Sequence, residues 1–267
     1  MKSFKPLVTY CTAVAIIVVI KMIEIKLFGD KGFKGYTLVE AFPGIGLVGP
    51  MAGSYMIEKL EMENVGYISS EQFPPIASIH NAMPMRPARI YKSSKYKLLL
   101  FISEFTIPPV LVYQLADEIL AFSRKYGISR IVSVGGMPSE KPTDSIYVTS
   151  ADKDVLKKAV KSGIKPMEEG IVAGVSAALL VKSQEYGVEA LDVMIVVDPR
   201  ITDPKYAELA IDGLNKLLDI DIDLSELDKE AKEVEAKIRE LLKKVKDTHD
   251  NYTSGDSTQE TGPSMYA

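Results

Sequence analysis

The chain has few of the side chains that build covalent or metal-bound frameworks. Its one cysteine is Cys11, so disulfides within the chain are impossible and a metal site built from cysteines is excluded. Of the two histidines, His249 lies in a polar carboxyl-terminal stretch. A histidine-based triad or zinc site would therefore rest on His80 alone, and we expect His80 to be structural. We predict neither a metal nor a cofactor.

Net charge is also low. The balance of −4 over 267 residues includes no broad basic field and no strongly acidic tail, so we expect no nucleic-acid partner. Apolar residues make up 46% of the chain, which is ordinary for a globular protein. This length is enough for one large domain with an appendage.

A long hydrophobic run is missing as well. Residues 6–20 carry no charge, but they are fewer than the about 20 apolar residues that a membrane-spanning helix needs. Lysines precede this run as in a signal peptide, yet no small-residue cleavage site follows. Three interpretations remain: a marginal membrane anchor, a packed apolar segment, or sequence upstream of a true start at Met22. We favour the third and expect a cytoplasmic protein without a membrane partner.

Predicted strands and helices alternate along the rest of the chain. Continuous apolar runs of the kind buried on both faces of a sheet occur at residues 36–42, 97–105, 130–134 and 191–197. Helical periodicity and capping residues predict helices at residues 108–126, 153–162 and 204–218. The alternation predicts an α/β fold, a three-layer sandwich around a largely parallel sheet.

A glycine-rich loop, with Gly44, Gly46 and Gly49, joins the first buried strand to a helix. This GxGxxG spacing fits a dinucleotide-binding loop, but it also fits a tight turn that only packs. A dinucleotide site needs an acidic residue about 20 positions on, at the end of the second strand. Glu63 precedes that strand and Glu71 lies beside prolines, so we favour a structural loop. The alternative is a nucleotide- or small-molecule-binding α/β enzyme that uses residues 44–49.

Three carboxylates, Glu40, Glu104 and Asp198, lie at or near the ends of predicted buried strands. Proteins of the α/β class place ligands at such ends, and a cluster of carboxylates there would suit acid–base chemistry. For each of the three, the interpretation that we favour is a solvated or capping carboxylate.

Beyond residue 220 the pattern changes to a heptad seam with Lys and Glu between its apolar positions. A strict two-position stripe is narrow for a helix that lies on its own domain, so we expect this helix to self-associate. The seam consists of Leu224, Leu227, Ala231, Val234, Ile238, Leu241 and Val245.

The chain ends on Met265, Tyr266 and Ala267 after a polar stretch, residues 247–264, that we expect to be disordered. A flexible coil of that length spans on the order of 20–25 Å. It would present the tripeptide and its free carboxylate away from the body, which suits capture in a groove of a partner.

Four segments together resemble the proteasome assembly chaperone two family over roughly residues 23–220. They are AFPGIGLVGPMAG, EQFPP, LLLFISEF and RIVSVGGMP. The chain is most similar to archaeal members of this family, including an archaeal proteasome activator. The resemblance implies a phosphorylase/hydrolase-like sandwich without an established catalytic set, and hence a protein that is not an enzyme.

The resemblance also implies an ATP-independent protein that binds the α-ring of the core proteasome particle. Met265, Tyr266 and Ala267 would enter pockets between α subunits, with Tyr266 as the main anchor, Met265 as the apolar contact and Ala267 as the carboxylate donor. The chain would be a homo-oligomer, and a tetramer is favoured. The expected domains are an apolar extension (1–21), the α/β domain (22–220), the heptad helix (221–246) and a flexible tail (247–267).

Overall fold

The computed structural model describes residues 22–29, 32–80 and 82–224, together with positions 236, 239, 240, 243 and 244. Residues 22–224 form a nine-stranded sheet between two layers of helices. The strands are β1 Glu24–Leu27, β2 Thr37–Ala41, β3 Glu63–Ser69, β4 Ser78–His80, β5 Met83–Met85, β6 Ala88–Ser93, β7 Leu98–Ser103, β8 Arg130–Pro138, β9 Ile146–Ser150, β10 Lys165–Pro166 and β11 Glu189–Val197. The α-helices of this range are α1 Val48–Lys59, α2 Val112–Tyr126, α3 Lys153–Lys161, α4 Gly174–Tyr186 and α5 Pro204–Leu218.

The sheet is mixed, so the prediction of a largely parallel sheet is wrong. Its strand order is β1-β3-β6-β7-β2-β8-β11-β9-β10, with β4 and β5 forming a separate hairpin. The four central strands β7, β2, β8 and β11 are parallel, whereas β1, β3 and β6 pair antiparallel on one side and β9 pairs antiparallel with β11 on the other.

Short connections explain two of the reversals in strand direction, from β6 to β7 and from β8 to β9. The turn between β6 and β7 spans residues 94–97, and residues 139–145 join β8 to β9 without a helix. A parallel pair needs a crossover of about a dozen residues or more, so strands joined this closely run in opposite directions. Connection lengths were readable in the sequence, but the apolar runs alone could not reveal strand direction.

Each face of the sheet carries its own hydrophobic core, as a three-layer sandwich requires. Side chains of α1, α3 and α5 pack on one face, and those of α2 and α4 pack on the other. Strand β2 serves both cores, because Val39 and Ala41 point to the first while Leu38 and Phe42 point to the second.

Helix ends follow local sequence chemistry. Asp152 accepts hydrogen bonds from two backbone N–H groups of the first turn of α3, as predicted. Asp203 caps α5, whose first residue is Pro204. Gly127 ends α2 with a left-handed backbone, φ 70°. Among the residues that the structure describes, no helix is long and apolar enough to cross a bilayer.

Candidate functional site

The glycine loop between β2 and α1 is held by close backbone packing. A methyl group on Gly49 would lie 2.9 Å from the carbonyl oxygen of Val134 and 3.0 Å from that of Phe42. Gly46 has a left-handed backbone, φ 71°, and faces Val197, whereas Gly44 is extended with open space around it. At Gly46 and Gly49 the backbone conformation or the close neighbours therefore require a glycine, whereas Gly44 is under no such constraint. That the loop serves for packing alone stays a prediction.

Two further glycines, Gly135 and Gly136 of β8, lie in the same region. A methyl group on Gly136, in the GGMP segment of β8, would lie 2.2 Å from the carbonyl oxygen of Ile45. The turn Ile45–Leu47 therefore rests directly on β8. Gly135, on the other face of the strand, has no such neighbour, and a methyl group there would meet only an oxygen of Asp192 at 4.0 Å.

A cavity of about 410 Å³ lies beside this loop. Because β2 ends at Ala41 while β8 continues to Pro138, an opening is left over β8 and β11, below the amino terminus of α4. Exposed residues, among them Ile45 and Ile171, surround its mouth. The cavity is thus open to solvent at the end of the parallel strands where α/β proteins bind ligands.

Two residues in the floor of the cavity, Glu40 and Asp192, belong to a polar row across three adjacent strands. Glu40 of β2 pairs in register with Ser133 of β8, and Ser133 pairs in register with Asp192 of β11. In-register residues of a parallel sheet point to the same face, so the three polar side chains lie side by side. All three are buried.

Glu40 is well supplied with hydrogen bonds. Its carboxylate accepts one from the backbone N–H of Phe42 at 3.0 Å and one from the hydroxyl of Ser176, at the start of α4, also at 3.0 Å. Burial raises the pKa of Glu40, while these bonds and one from Ser133 act against the rise. The bond from Ser176 ties the end of β2 to α4.

Asp192 lacks comparable support. The residue is 2% exposed, and its Oδ1 has no hydrogen-bond partner. Burial, followed by the negative charge of Glu40, raises the pKa of Asp192 to about 8. Asp192 was not among the predicted site residues, although a carboxylate inside the apolar run of residues 190–197 was a usable signal.

The predicted carboxylate Glu104 belongs to a different cluster. It follows β7 and pairs with the buried guanidinium of Arg89, and it also contacts Nε2 of the half-exposed His80 at 2.8 Å. Burial alone would raise the pKa of Glu104, but the hydrogen bond and charge of Arg89 outweigh burial and lower it. His80 and Glu104 thus join the β4–β5 hairpin to the main sheet.

Asp198, directly after β11, is paired with its neighbour Arg200 through two guanidinium contacts of 2.8 and 2.6 Å. These bonds, and one from the backbone N–H of Arg200, lower its pKa to about 2. The three predicted carboxylates therefore have separate sets of partners.

The chemistry of the cavity does not favour a phosphate group. Among the described residues that line it, none is Lys, Arg or His, and two are carboxylic acids. The first turn of α1, which would have to receive a pyrophosphate, is buried, and Pro50 in it has no N–H. Within the part of the chain that the structure describes, no group of three His, Cys, Asp or Glu side chains is placed to hold a metal ion.

Comparison with known proteins identifies the family. The model of the PAC2 family matches residues 38–242. The chain belongs to the PAC2 family. An uncharacterised protein of Methanocaldococcus jannaschii is 27% identical over 223 residues, which are 82% of this chain and 92% of that protein.

Solved structures agree with this assignment. PbaA of Pyrococcus furiosus, described as an archaeal homologue of proteasome-assembly chaperone, superposes with a TM-score of 0.76 at 25% identity, covering 85% of this chain and 99% of PbaA. PbaB of the same organism, described as an archaeal proteasome activator, gives a TM-score of 0.70 at 22% identity, covering 83% and 99% of the two chains. The PbaB comparison shows a shared fold.

The other predicted functional residues of this PAC2 chain lie mostly outside the described residues. These include Met265, Tyr266 and Ala267 and the heptad positions from Leu227 to Val245. Leu224, the first seam position, is partly buried against the core formed by α1 and α5. It therefore contacts its own domain.

Proposed function

We propose that this PAC2-family chain is an ATP-independent proteasome assembly chaperone-like protein or activator. It binds the α-ring of the core proteasome particle through its carboxyl-terminal Met265, Tyr266 and Ala267. In this proposal the chain is a binding protein and not an enzyme.

The similarity to PbaA carries the proposal. It extends over 85% of this chain at 25% identity, and PbaA is described as a homologue of a proteasome-assembly chaperone. A second, independent feature is the end of the chain, where Met265, Tyr266 and Ala267 follow a polar stretch. This is a hydrophobic residue, a tyrosine and a third residue that can be of any type. A terminal carboxylate next to an aromatic anchor suits capture in a pocket of a partner.

Each terminal residue has its own role in the proposal. The carboxylate of Ala267 pairs with a cationic side chain of the α-ring. A hydrogen bond between two charged groups is stronger than one between neutral groups, so this pair would hold the end of the chain in place. The ring of Tyr266 fills the pocket as the main anchor, and Met265 adds an adaptable apolar contact. Residues 247–264 act as the tether.

Several tails on one particle would bind together. In this proposal the α/β domain (22–220) is the body, and the heptad helix (221–246) assembles copies into a homo-oligomer, with a tetramer favoured. Linked tails raise the effective concentration of each other at neighbouring pockets, so weak individual contacts sum to stable binding.

A pull-down of archaeal core proteasome with tagged variants tests the proposal. We expect Tyr266→Ala to lose most of the captured core particle, because an aromatic anchor typically contributes 2 kcal/mol or more to binding. Ser264→Ala, two residues upstream in the tether, is the matched control and should capture as much as the native chain.

Fluorogenic peptide hydrolysis in the same samples separates the two roles. Stimulated hydrolysis that depends on Tyr266 indicates an activator, whereas binding without stimulation indicates an assembly chaperone. Equal capture by the native chain and Tyr266→Ala would contradict the role of the tail.

A further inference from the structure

The polar row below the glycine loop is unusual in having two carboxyl groups with little opposing charge. Glu40 and Asp192 flank Ser133 in register on neighbouring strands and line the same cavity. Glu40 is the titratable side chain that acts on Asp192, and the described residues lining the cavity include no cationic one. A buried carboxylate normally has a counter-charge or several hydrogen-bond donors.

In this polar row, one oxygen of the Asp192 carboxyl group lacks a hydrogen-bond partner. Its Oδ1 is buried without a hydrogen-bond partner, in contrast to Glu40, which accepts bonds from Phe42 and Ser176. Unsatisfied buried polar atoms are rare in folded proteins and call for a specific partner. The missing partner must be a hydrogen-bond donor, and a positive charge would also relieve the repulsion between the two carboxyl groups.

Apart from the hydroxyl groups of Thr106 and Ser176, the other side chains of the wall are apolar. Phe42, Ile107, Val112, Val175 and Met194 line the cavity with the two carboxyl groups at its floor. The volume of about 410 Å³ is near the lower end of the range for small-molecule pockets, about 300–1,000 Å³. The occupant is therefore small, with a cationic donor at one end and an apolar body.

We propose that this cavity binds a small organic cation, an ammonium group on an alkyl or arylalkyl body. The ammonium N–H groups donate hydrogen bonds to Asp192 and Glu40, and the body lies between the glycine loop and the amino terminus of α4. This binding site is separate from the carboxyl-terminal tail and goes beyond the proposed proteasome function.

Three probes of one length test the charge requirement: hexylammonium, 1-hexanol and hexanoate. An alkylammonium resembles a lysine side chain, whose pKa is about 10.4. At about pH 9 the probe is therefore charged and Asp192 is ionised, so the titrations are run at that pH. We expect isothermal titration calorimetry to show binding of hexylammonium at least about tenfold tighter than hexanol, and none of hexanoate.

Two variants test the location. At about pH 9, Asp192→Asn removes a charge at nearly constant shape and should weaken hexylammonium binding at least about tenfold. Gly135→Val keeps both carboxyl groups but fills the cavity, since a side chain at Gly135 meets only Oδ1 of Asp192 at 4.0 Å, and it should abolish binding. Asp144→Asn, which breaks an exposed ion pair with Lys205, is the control for charge and should bind normally.

A chain lacking the last three residues should bind hexylammonium normally, so this test can fail or succeed independently of the proteasome test. The proposal is overturned if hexylammonium does not bind the native chain, or if hexanoate binds as tightly. Undiminished binding to folded Asp192→Asn or Gly135→Val also overturns it.

Discussion

Asp192 is a residue whose ionised form the fold disfavours. Its pKa in the folded chain is raised to about 8, while an unfolded aspartate titrates near 3.8. Between these two pH values the folded state holds more protons than the unfolded state, so the free energy of unfolding falls as pH rises through this window. Glu40 shifts in the same direction because of its burial.

Asp192→Asn should therefore stabilise the protein at alkaline pH. We expect a gain of about 1–3 kcal/mol in the free energy of unfolding at about pH 9, and little change at about pH 5, where Asp192 is already neutral. Urea denaturation at the two pH values measures both. If Asp192→Asn is less stable than the native chain at both pH values, the carboxyl group makes contacts that an amide of the same shape does not replace.

Gly49 and Gly44 differ in the space around them, although both belong to the same sequence motif. Gly49→Ala should lower the free energy of unfolding by about 1–3 kcal/mol, because its methyl group would approach two carbonyl oxygens at 2.9 and 3.0 Å. Gly44→Ala is the matched control, with an extended backbone and open space, and should change stability by no more than about 0.5 kcal/mol. Thermal denaturation of both variants distinguishes steric packing from a general need for glycine.

At the scale of elements, the pair of Arg89 and Glu104 joins β6 to the end of β7. The Arg89 side chain is 6% exposed and that of Glu104 is 11% exposed. Since the folded pKa of Glu104 is lowered, its contribution to stability is present above the unfolded pKa, near 4.5, and is lost as pH falls through the folded pKa.

Glu104→Gln should cost about 3–5 kcal/mol at neutral pH, because it leaves Arg89 buried without its counter-charge. Urea denaturation measures the loss, and Asp154→Asn is the control, since Asp154 forms an exposed pair with Lys157 on α3. A loss below about 1 kcal/mol would mean that water or another carboxylate replaces Glu104.

Elements with strong local signals were predictable. Helix α5 begins at Pro204 and ends at Leu218 as expected, and the apolar run of β7 and the cap of α3 were also found. The two-residue β10 and the three-residue β5 had no comparable signal, and sheet order depends on contacts between distant segments. The polar row was missed because register between strands brings Glu40 and Asp192 together, and register is not written in any one segment.

For the whole molecule, the proposed oligomer should bind the core particle more tightly than a single chain does. Ile238→Asp, in the middle of the heptad seam, should dissociate the proposed oligomer and weaken binding to the core particle by about 100-fold or more. Lys243→Ala, at an exposed position of the same segment, should leave the oligomeric state and the binding to the core particle unchanged. Sedimentation velocity gives the oligomeric state, and a lower mass with unchanged binding would argue against avidity.

The family was readable from the sequence because its glycine loop and GGMP segment occur together, and the match over residues 38–242 confirms it. The proposed partner was less accessible from the sequence, because the tail would act only against another protein and offers no fold pattern to recognise. In the proposal, the role of the tail depends on three residues at the end of a polar stretch.

Binding of the intact chain and of a chain lacking Met265, Tyr266 and Ala267 to immobilised archaeal core particle tests the role of the tail. We predict saturable binding by the intact chain without ATP, and a loss of at least about 100-fold in affinity on truncation. Equal affinity of the two chains would contradict the account and place the contact on the α/β body.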